Sequence, residues 1–571
     1  MRALNAILLS ALLPWTAAGA NSFRVTPYVQ CPATNAISLL WLASTNGDAT
    51  VEWWRQGGTV TNRLAAERIE PTSRVANSRF TADMRLQYCH APEFAYDTSP
   101  EAADNSPSRQ GAWEMPFTVP WQYRCRLTGL ATGSTYGYRV TLEGGAVYEN
   151  RFRTAPGPAQ GFKFIYYSDS ETEPADNALS TGRTTDWDDP RTGSPRTYYA
   201  TQTEAYASNL CAVADFGADL IVMAGDLAQK GSRQCDWDEF WRHNAGPLND
   251  PAGSIPILAS PGNHDYWSYN DGGESGMRKY LSYFEYNVNG TALDPDQQER
   301  FHRLDYGPVT FLFLDANNGD DSDPLKDTNH TIYRGGSGTY HGTRAPDFNP
   351  GSVQYQWLEA QLKDAQRRSA FIFVVSHQCP YSCGYHGCSP DKNNPEGERY
   401  DNLSGRPLRA LVPMFLKYGV DGWLAGHDEM MERSWVEGVE TLPDGSTRAH
   451  GFNVWDMGIA GDGLRGSSLC VNANERYRAH VNCPEVYENG TLVAGGKHYG
   501  HLEVTIDQAA DGRWRATLDP VYVFFSQDAS GKSVYGGVRH YADKVVLESA
   551  FGPGPAPGPQ PASGGTRLMV W

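Results

Sequence analysis

The stretch IVMAGDLAQKG (Ile221–Gly231) decides how this chain is read. Apolar residues run straight into Ala-Gly-Asp, the pattern of a buried strand closed by a turn. A single Asp at such a place is an ordinary cap or turn former. Asp226 has company, however. FKFIYYSD ends at Asp169, and IPILASPGNHD delivers Asn263, His264 and Asp265. FIFVVSH ends at His377, and VDGWLAGH ends at His427, with Asp428 and Glu429 following. Helical spacing fills the intervals, in TQTEAYASNLCAVADFGAD, VQYQWLEAQLKDAQRR and LRALVPMFLKYG. Strand–helix–strand alternation indicates an α/β layered fold, in which ligands bind beyond the carboxyl ends of the strands. Five strands each bring a metal-competent side chain to that edge. Two His, several carboxylates and an amide oxygen suit two divalent cations. Asp226 is expected to face metal and to bridge both ions.

The grammar differs upstream. Residues 22–156 hold short apolar runs between turn residues, such as AISLLWLAS, ATVEWW and the alternating YGYRVTL. That is the language of an all-β sandwich. Residues 81–120 read as a long polar insert. The α/β region is expected over 160–547, and residues 551–571 form a Pro/Gly-rich tail. Residues 1–20 read as a secretory signal, with Arg2, an ILLSALL core and AGA ending at Ala20. Secretion, or a periplasmic location in a bacterium, follows from that. Ten Cys suit an oxidising compartment. The cluster CPYSCGYHGC (Cys379, Cys383, Cys388) is therefore expected in disulfides rather than around zinc, with the pairing left open. Asn289, Asn329, Asn402 and Asn489 are glycosylation candidates in a eukaryotic host. A net charge of −18 argues against nucleic-acid or anionic-membrane partners. No later apolar run is long enough to span a bilayer.

The ordered set D…GD…GNHD…SH…GHxE resembles the calcineurin-like metallophosphoesterase superfamily, and most of all its purple-acid-phosphatase-like members. The likeness extends to RVTPYVQCPATNAISLLWLA, LTGLATGSTYGYRV, GIAGDGLRG and HYGHLEV. It implies a four-layer β-sandwich flanked by helices, of metallophosphoesterase type, preceded by an immunoglobulin/fibronectin-like sandwich. It implies Asp226 as the bridging ligand, with Asn263, His377 and His427 on one ion and Asp169 on the other. His264 would protonate the leaving group, and Asp265 would orient the His264 ring. Arg465 and His501 are further candidates for touching phosphate. His386, His498 and Trp267 are candidates for the pocket rim.

The sequence departs from the family at the second ion. Glu171 stands two residues after the first Asp, where purple members have Gly. Gln229 replaces the purple-type Tyr, and Glu429 replaces the second His of the last motif. A site built from Asp169, Asp226, Glu429 and Glu171 favours Mn, Mg, Ca or Fe, whereas the His-containing site suits Fe, Mn or Zn. The implied reaction is hydrolysis of a small phosphate monoester by hydroxide generated on the ions, with His264 as general acid. The alternatives are a phosphodiesterase of the same fold and a non-catalytic binding or adhesion protein with a decayed metal site. Oligomeric state stays open.

Because no Tyr follows Asp226 at the third position, iron-loaded protein is expected to lack a phenolate-to-iron absorption. A visible spectrum recorded after iron loading checks this, and a purple band would contradict it.

Overall fold

A computed structural model describes residues 21–69, 121–173, 202–231, 234–267, 273–286, 299–318, 325–328, 345–384, 404–461, 472–479, 486–489, 491–494, 498–527 and 533–549, with a few isolated positions and two-residue strands between them. Residues 1–20, the insert 81–120 and the tail 551–571 lie outside this set.

The N-terminal region is all-β. One antiparallel sheet has the order β1 (Phe23–Gln30), β2 (Ala36–Ala43), β6 (Trp121–Thr128), β5 (Glu67–Ile69). The other runs β4 (Thr61–Ala65), β3 (Ala49–Arg55), β7 (Thr135–Leu142), β8 (Val147–Arg153). Strand β7 alternates buried and half-buried residues, as a strand with one face on a core should. Strand β2 is buried at every position. Ile37, Leu39, Trp41 and Ala43 face the sandwich core, while Leu40 and Leu42 join the core of the following region. A strand with two apolar faces has no reason to alternate, so AISLLWLA reads as one continuous run.

The α/β region follows from β9 (Phe162–Tyr167). A small ribbon pairs β10 (Asp188–Asp189) with β11 (Ser194–Pro195). The first large sheet uses β12 (Leu220–Met223), β13 (Ile257–Ala259), β23 (Gly500–Gln508), β24 (Trp514–Gln527), β25 (Ser533–His540) and β26 (Val545–Glu548). Its order is β13-β12-β9-β23-β24-β25, with β26 also on β24. The second uses β14 (His302–Tyr306), β15 (Val309–Phe313), β16 (Phe371–Gln378), β17 (Gly422–Gly426), β18 (Met431–Thr441), β19 (Thr447–Met457) and β20 (Glu475–Ala479), in the order β14-β15-β16-β17-β19-β18-β20. A further ribbon joins β21 (Val486–Glu488) to β22 (Thr491–Ala494).

The two large sheets pack face to face. Phe164 meets Phe311 and Phe373 edge-on, at centroid distances of 5.0 and 5.8 Å. Helices α1 (Gln202–Phe216), α2 (Gln234–Asn244) and α3 (Glu274–Tyr283) pack Tyr206, Leu210, Trp237, Phe240 and Tyr280 into the core of the first sheet. Helices α4 (Val353–Arg368) and α5 (Val412–Lys417) cover the outer face of the second, through Leu358, Leu362 and Phe415. The result is the helix–sheet–sheet–helix layering expected from the sequence. Helix α4 starts where the Ser352 hydroxyl accepts from Tyr355 N at 3.2 Å, and it ends on Arg367 and Arg368, which oppose the negative end of its dipole.

Two expectations change. The run LRALVPMFLKYG is not one helix: Arg406–Leu411 is a 3₁₀ turn and α5 begins only at Val412. Pro413 lacks a donor N–H and fits only a helix's first turn, so the helix restarts there. The disulfide expected for the Cys cluster is also absent among the described residues. Cys379 is a buried free thiol, as Cys125 is, and Cys211 is free as well, while Cys31 and Cys383 are buried. Cys388 lies outside the described set.

The sandwich is docked through specific contacts. Arg24 pairs with Asp238 at 2.5 Å, with both side chains buried. Tyr28 donates to the Tyr283 carbonyl at 2.8 Å and lies 4.2 Å, centroid to centroid, from Trp241. Gln30 donates to the Ile257 carbonyl at 3.1 Å, and Tyr138 donates to the Gly253 carbonyl at 2.7 Å. Tyr28→Ala is expected to cost about 3–5 kcal/mol, the usual loss for deleting a buried aromatic side chain. Scanning calorimetry would show this as a lowered unfolding temperature, whereas an unchanged thermogram would mean that the docking contributes nothing to stability.

Candidate metal centre

The turns that follow the central strands are unusually tight. Among the described residues, eight non-glycine positions have positive φ. Five of them are Asp169 (59°), Glu171 (34°), Asp226 (52°), His427 (79°) and Glu429 (47°). Each such residue stores strain, and strain concentrated at strand ends marks a functional edge. Glycines let these turns touch. Gly225 has φ +94°, and a Cβ on Gly262 would sit 2.1 Å from Asp226 Oδ1.

Four donor atoms converge inside this cage. His377 Nε2 lies 2.8 Å from Asp226 Oδ2, 2.9 Å from Asn263 Oδ1 and 3.0 Å from His427 Nδ1. The other nitrogen of His377, Nδ1, donates to the Ala224 carbonyl at 2.8 Å. That bond sets the tautomer and turns the Nε2 lone pair toward the cluster. Lone-pair atoms crowd this closely only around a proton or a cation. All of these side chains are buried. The donor set of two imidazoles, a carboxylate and an amide oxygen fits a divalent transition metal.

A second group adjoins the first. Ligand atoms of Glu171, Asp226 and His264 lie within 4.8 Å of one another. Both Asp169 oxygens accept from His427 N, at 3.2 and 3.0 Å. Glu429 is fully enclosed beside them: a Cβ on Gly458 would lie 2.7 Å from Asp169 Oδ2 and 2.9 Å from Glu429 Cα. Asp226 thus lies within ligand distance of both groups, His377 and His427 on one side and Glu171 on the other.

The electrostatics ask for positive charge. Burial pushes Asp169 up to about 7; His377 opposes that shift and Asp226 adds to it. Burial works against ionisation of Asp226 too, yet His377 and His264 hold its pKa below the usual value. Burial also opposes charging of His377, but Asp226 and Asp169 outweigh it and raise the imidazole to about 9. In a metal-free site, His377 is the group that takes up the charge a cation would supply.

His264 stands at the rim. Its backbone N donates to Asp226 Oδ1 at 2.7 Å, and its Nδ1 faces the Gln229 carbonyl at 2.8 Å and Glu171 Oε2 at 3.5 Å. With two acceptors at Nδ1, that nitrogen carries the proton and Nε2 is the ring's other working atom. Trp267 packs edge-on against the ring at 5.2 Å. Asp265 does not orient this imidazole, contrary to expectation. Its carboxylate accepts from the backbone N of Asp226 (3.0 Å), Leu227 (3.1 Å) and Gly262 (2.8 Å), so it shapes the turns instead. Burial, then Asp226, pushes its pKa up to about 7. His501 is likewise engaged elsewhere, with Nδ1 2.6 Å from Asn209 Oδ1 and Nε2 3.8 Å from Glu503. His498 packs on Tyr522. Arg465 lies outside the described residues. His386 stacks on His427 with 3.9 Å between ring centroids. Sequence reading missed Ser404, whose Oγ lies 2.8 Å from His427 Nε2. A lone Ser in a loop carries no signal that could have flagged it.

Residues 200–429 match the family model of the calcineurin-like phosphoesterases. Over those residues the chain is similar to that family. Its curated relatives include acid-phosphatase and purple-acid-phosphatase-like proteins. An acid phosphatase of Aspergillus ficuum is 24% identical over 344 residues, covering 51% of this chain and 52% of the relative. A probable inactive purple acid phosphatase of Arabidopsis thaliana is 22% identical over 347 residues, 58% of this chain and 46% of that one. An uncharacterised protein of Mycobacterium tuberculosis is 26% identical over 314 residues, 54% of this chain and 50% of that one. The chain therefore spans about half the length of the curated relatives it matches. In fold it is similar to the purple acid phosphatase PPD1 of yellow lupin, with a TM-score of 0.54 at 16% identity, over 91% of this chain and 74% of that one. Calcineurin-like phosphoesterases typically bind two metal ions, and the carboxylate, amide and imidazole groups around Asp226, other than His264, are candidates for holding them.

Gly262→Ala would drive a methyl group into Asp226. It is expected to destabilise the fold by about 1–3 kcal/mol, as overpacking does, and to lower metal uptake. Elemental analysis beside thermal unfolding measures both, and normal metal content in the variant would contradict the close approach.

Proposed function

We propose that this calcineurin-like phosphoesterase hydrolyses small phosphate monoesters, using a binuclear centre. The observation that supports the reading most is the meeting of Asp226, Asn263, His377 and His427 donor atoms within 3.0 Å of the His377 imidazole, with Glu171 and Asp169 adjoining. Two divalent ions held there would neutralise the phosphate's charge and supply a nucleophile near neutral pH. Asn263, His377 and His427 would hold one ion and Asp169, Glu171 and Glu429 the other, with Asp226 available to both. The imidazole-bearing half suits Zn, Mn or Fe, and the carboxylate half suits Mn, Mg, Ca or Fe.

His264 is the proton donor in this reading. It is fixed by its backbone bond to Asp226 and by the Gln229 carbonyl, yet it is not one of the four converging donors. Those anchors hold the ring while leaving Nε2 to meet the departing oxygen. Acid catalysis of this kind is worth about 10²–10⁴-fold. Export from the cytoplasm is part of the proposal and is supported by the signal-like composition of residues 1–20. Preference for monoesters is supported by the acid phosphatase among the relatives.

The reading makes paired demands. His264→Ala should lower turnover on nitrophenyl phosphate by about 10²–10⁴-fold with metal content near normal. Asp226→Asn should lose metal and activity together. Steady-state assays on the monoester and its bis-ester, with metal analysis of each preparation, check both points. Wild-type protein that holds no metal after purification without chelator and supplementation, or a bis-ester cleaved faster than the monoester, would overturn the reading.

A further inference from the structure

His427 is gripped from several directions. Its φ of 79° puts the residue in the left-handed region, where its backbone N donates to both oxygens of Asp169. The His386 ring lies against its face. Nδ1 points to His377 Nε2 at 3.0 Å, and Nε2 is met by Ser404 Oγ at 2.8 Å. An imidazole flipped about its Cβ–Cγ bond would exchange these nitrogens for carbons. With the ring held in this orientation, the group at Nε2 bears on which nitrogen carries the proton.

Ser404 reaches that place by design of its segment. It is 1% exposed. A Cβ on the next residue, Gly405, would lie 1.8 Å from the Cys379 carbonyl, so only glycine allows the chain to run that close. Gly405 N also donates to the His386 carbonyl at 3.4 Å. The segment after the Cys-containing loop is thus laid against Cys379 and His386, and it delivers one hydroxyl to one ring nitrogen. His377 is treated in parallel fashion by the Ala224 carbonyl. The two imidazoles of the cluster each have their far nitrogen held by an oxygen.

We propose that Ser404 is the positioning residue for His427: its Oγ accepts the Nε2 proton, which leaves the Nδ1 lone pair to the metal. The inference rests on the binuclear reading above and deepens it by assigning a residue that no motif marks. Ser404 touches neither substrate nor metal. It acts through the ring, and loss of such a partner typically costs about 10–100-fold in metal affinity.

Competition with a chromophoric chelator tests this on the full chain. Ser404→Ala should bind zinc at its tighter site about 10–100-fold more weakly than wild type, and Ser404→Thr, which keeps the hydroxyl, should recover most of the loss. Cobalt-loaded Ser404→Ala should show a shifted ligand-field spectrum, which a merely structural role would not produce. The wild type supplies a readout that does not depend on a variant folding: a long-range ¹H–¹⁵N spectrum of the zinc-loaded protein should place the His427 proton on Nε2. A proton on Nδ1, or Ser404→Ala matching wild type in affinity and spectrum, would overturn the inference alone. Wild-type protein that takes up no zinc would overturn the binuclear reading and this inference with it.

Discussion

Asp226 and Asp265 hold each other's turns. The Asp265 carboxylate caps the amides of Asp226 and Leu227, and Asp226 returns a bond to the amide of His264. Gly225 and Gly262 let the two backbones approach until no side chain fits between them. A buried carboxylate is costly unless its oxygens are satisfied, and both Asp265 oxygens and Asp226 Oδ1 are satisfied by backbone N–H groups that strand-end turns leave free. The clamp joins the ends of β12 and β13 into one rigid floor. Asp226 Oδ2, Asn263 and His264 all project from it. His377, arriving from the opposite sheet, completes the cluster by leaning its Nδ1 on Ala224 of the same floor. The two sheets are therefore bonded at the point where their chemistry is concentrated.

Much of this was legible because strand ends punctuate so clearly. FKFIYYSD, LIVMAGD, FIFVVSH and VDGWLAGH each announce a buried strand and the polar residue it delivers, and the ligand atoms of Asp226, His377 and His427 lie together at that edge. The layer order followed from the alternation of apolar runs with helical spacing. What a linear pattern does not carry is direction within a turn. Asp265 follows His264 in sequence and was expected to serve it, but consecutive residues in a tight turn point apart. The carboxylate went to three amides, while the imidazole found the carbonyl of Gln229. Ser404 was invisible for a related reason. Its role depends on Gly405 lying against the Cys379 carbonyl, and nothing in the local composition encodes that approach.

Ten cysteines suggested cross-links; among the described ones, Cys379 and Cys383 are buried in apolar surroundings, Cys383 against Met430. The helix expected near residue 410 was divided by Pro413, whose effect on hydrogen bonding outweighs the apolar spacing around it.

Strand β2 bears on how the two regions relate. Leu40 and Leu42 belong to the α/β core as fully as any residue of β9, while their neighbours Leu39 and Trp41 belong to the sandwich. A segment that serves two interiors at once cannot be excised without exposing a greasy wound on what remains. The sandwich is thus no interchangeable module clipped to the α/β region. Swapping it for an unrelated β domain would require the newcomer to reproduce one face of β2, residue for residue.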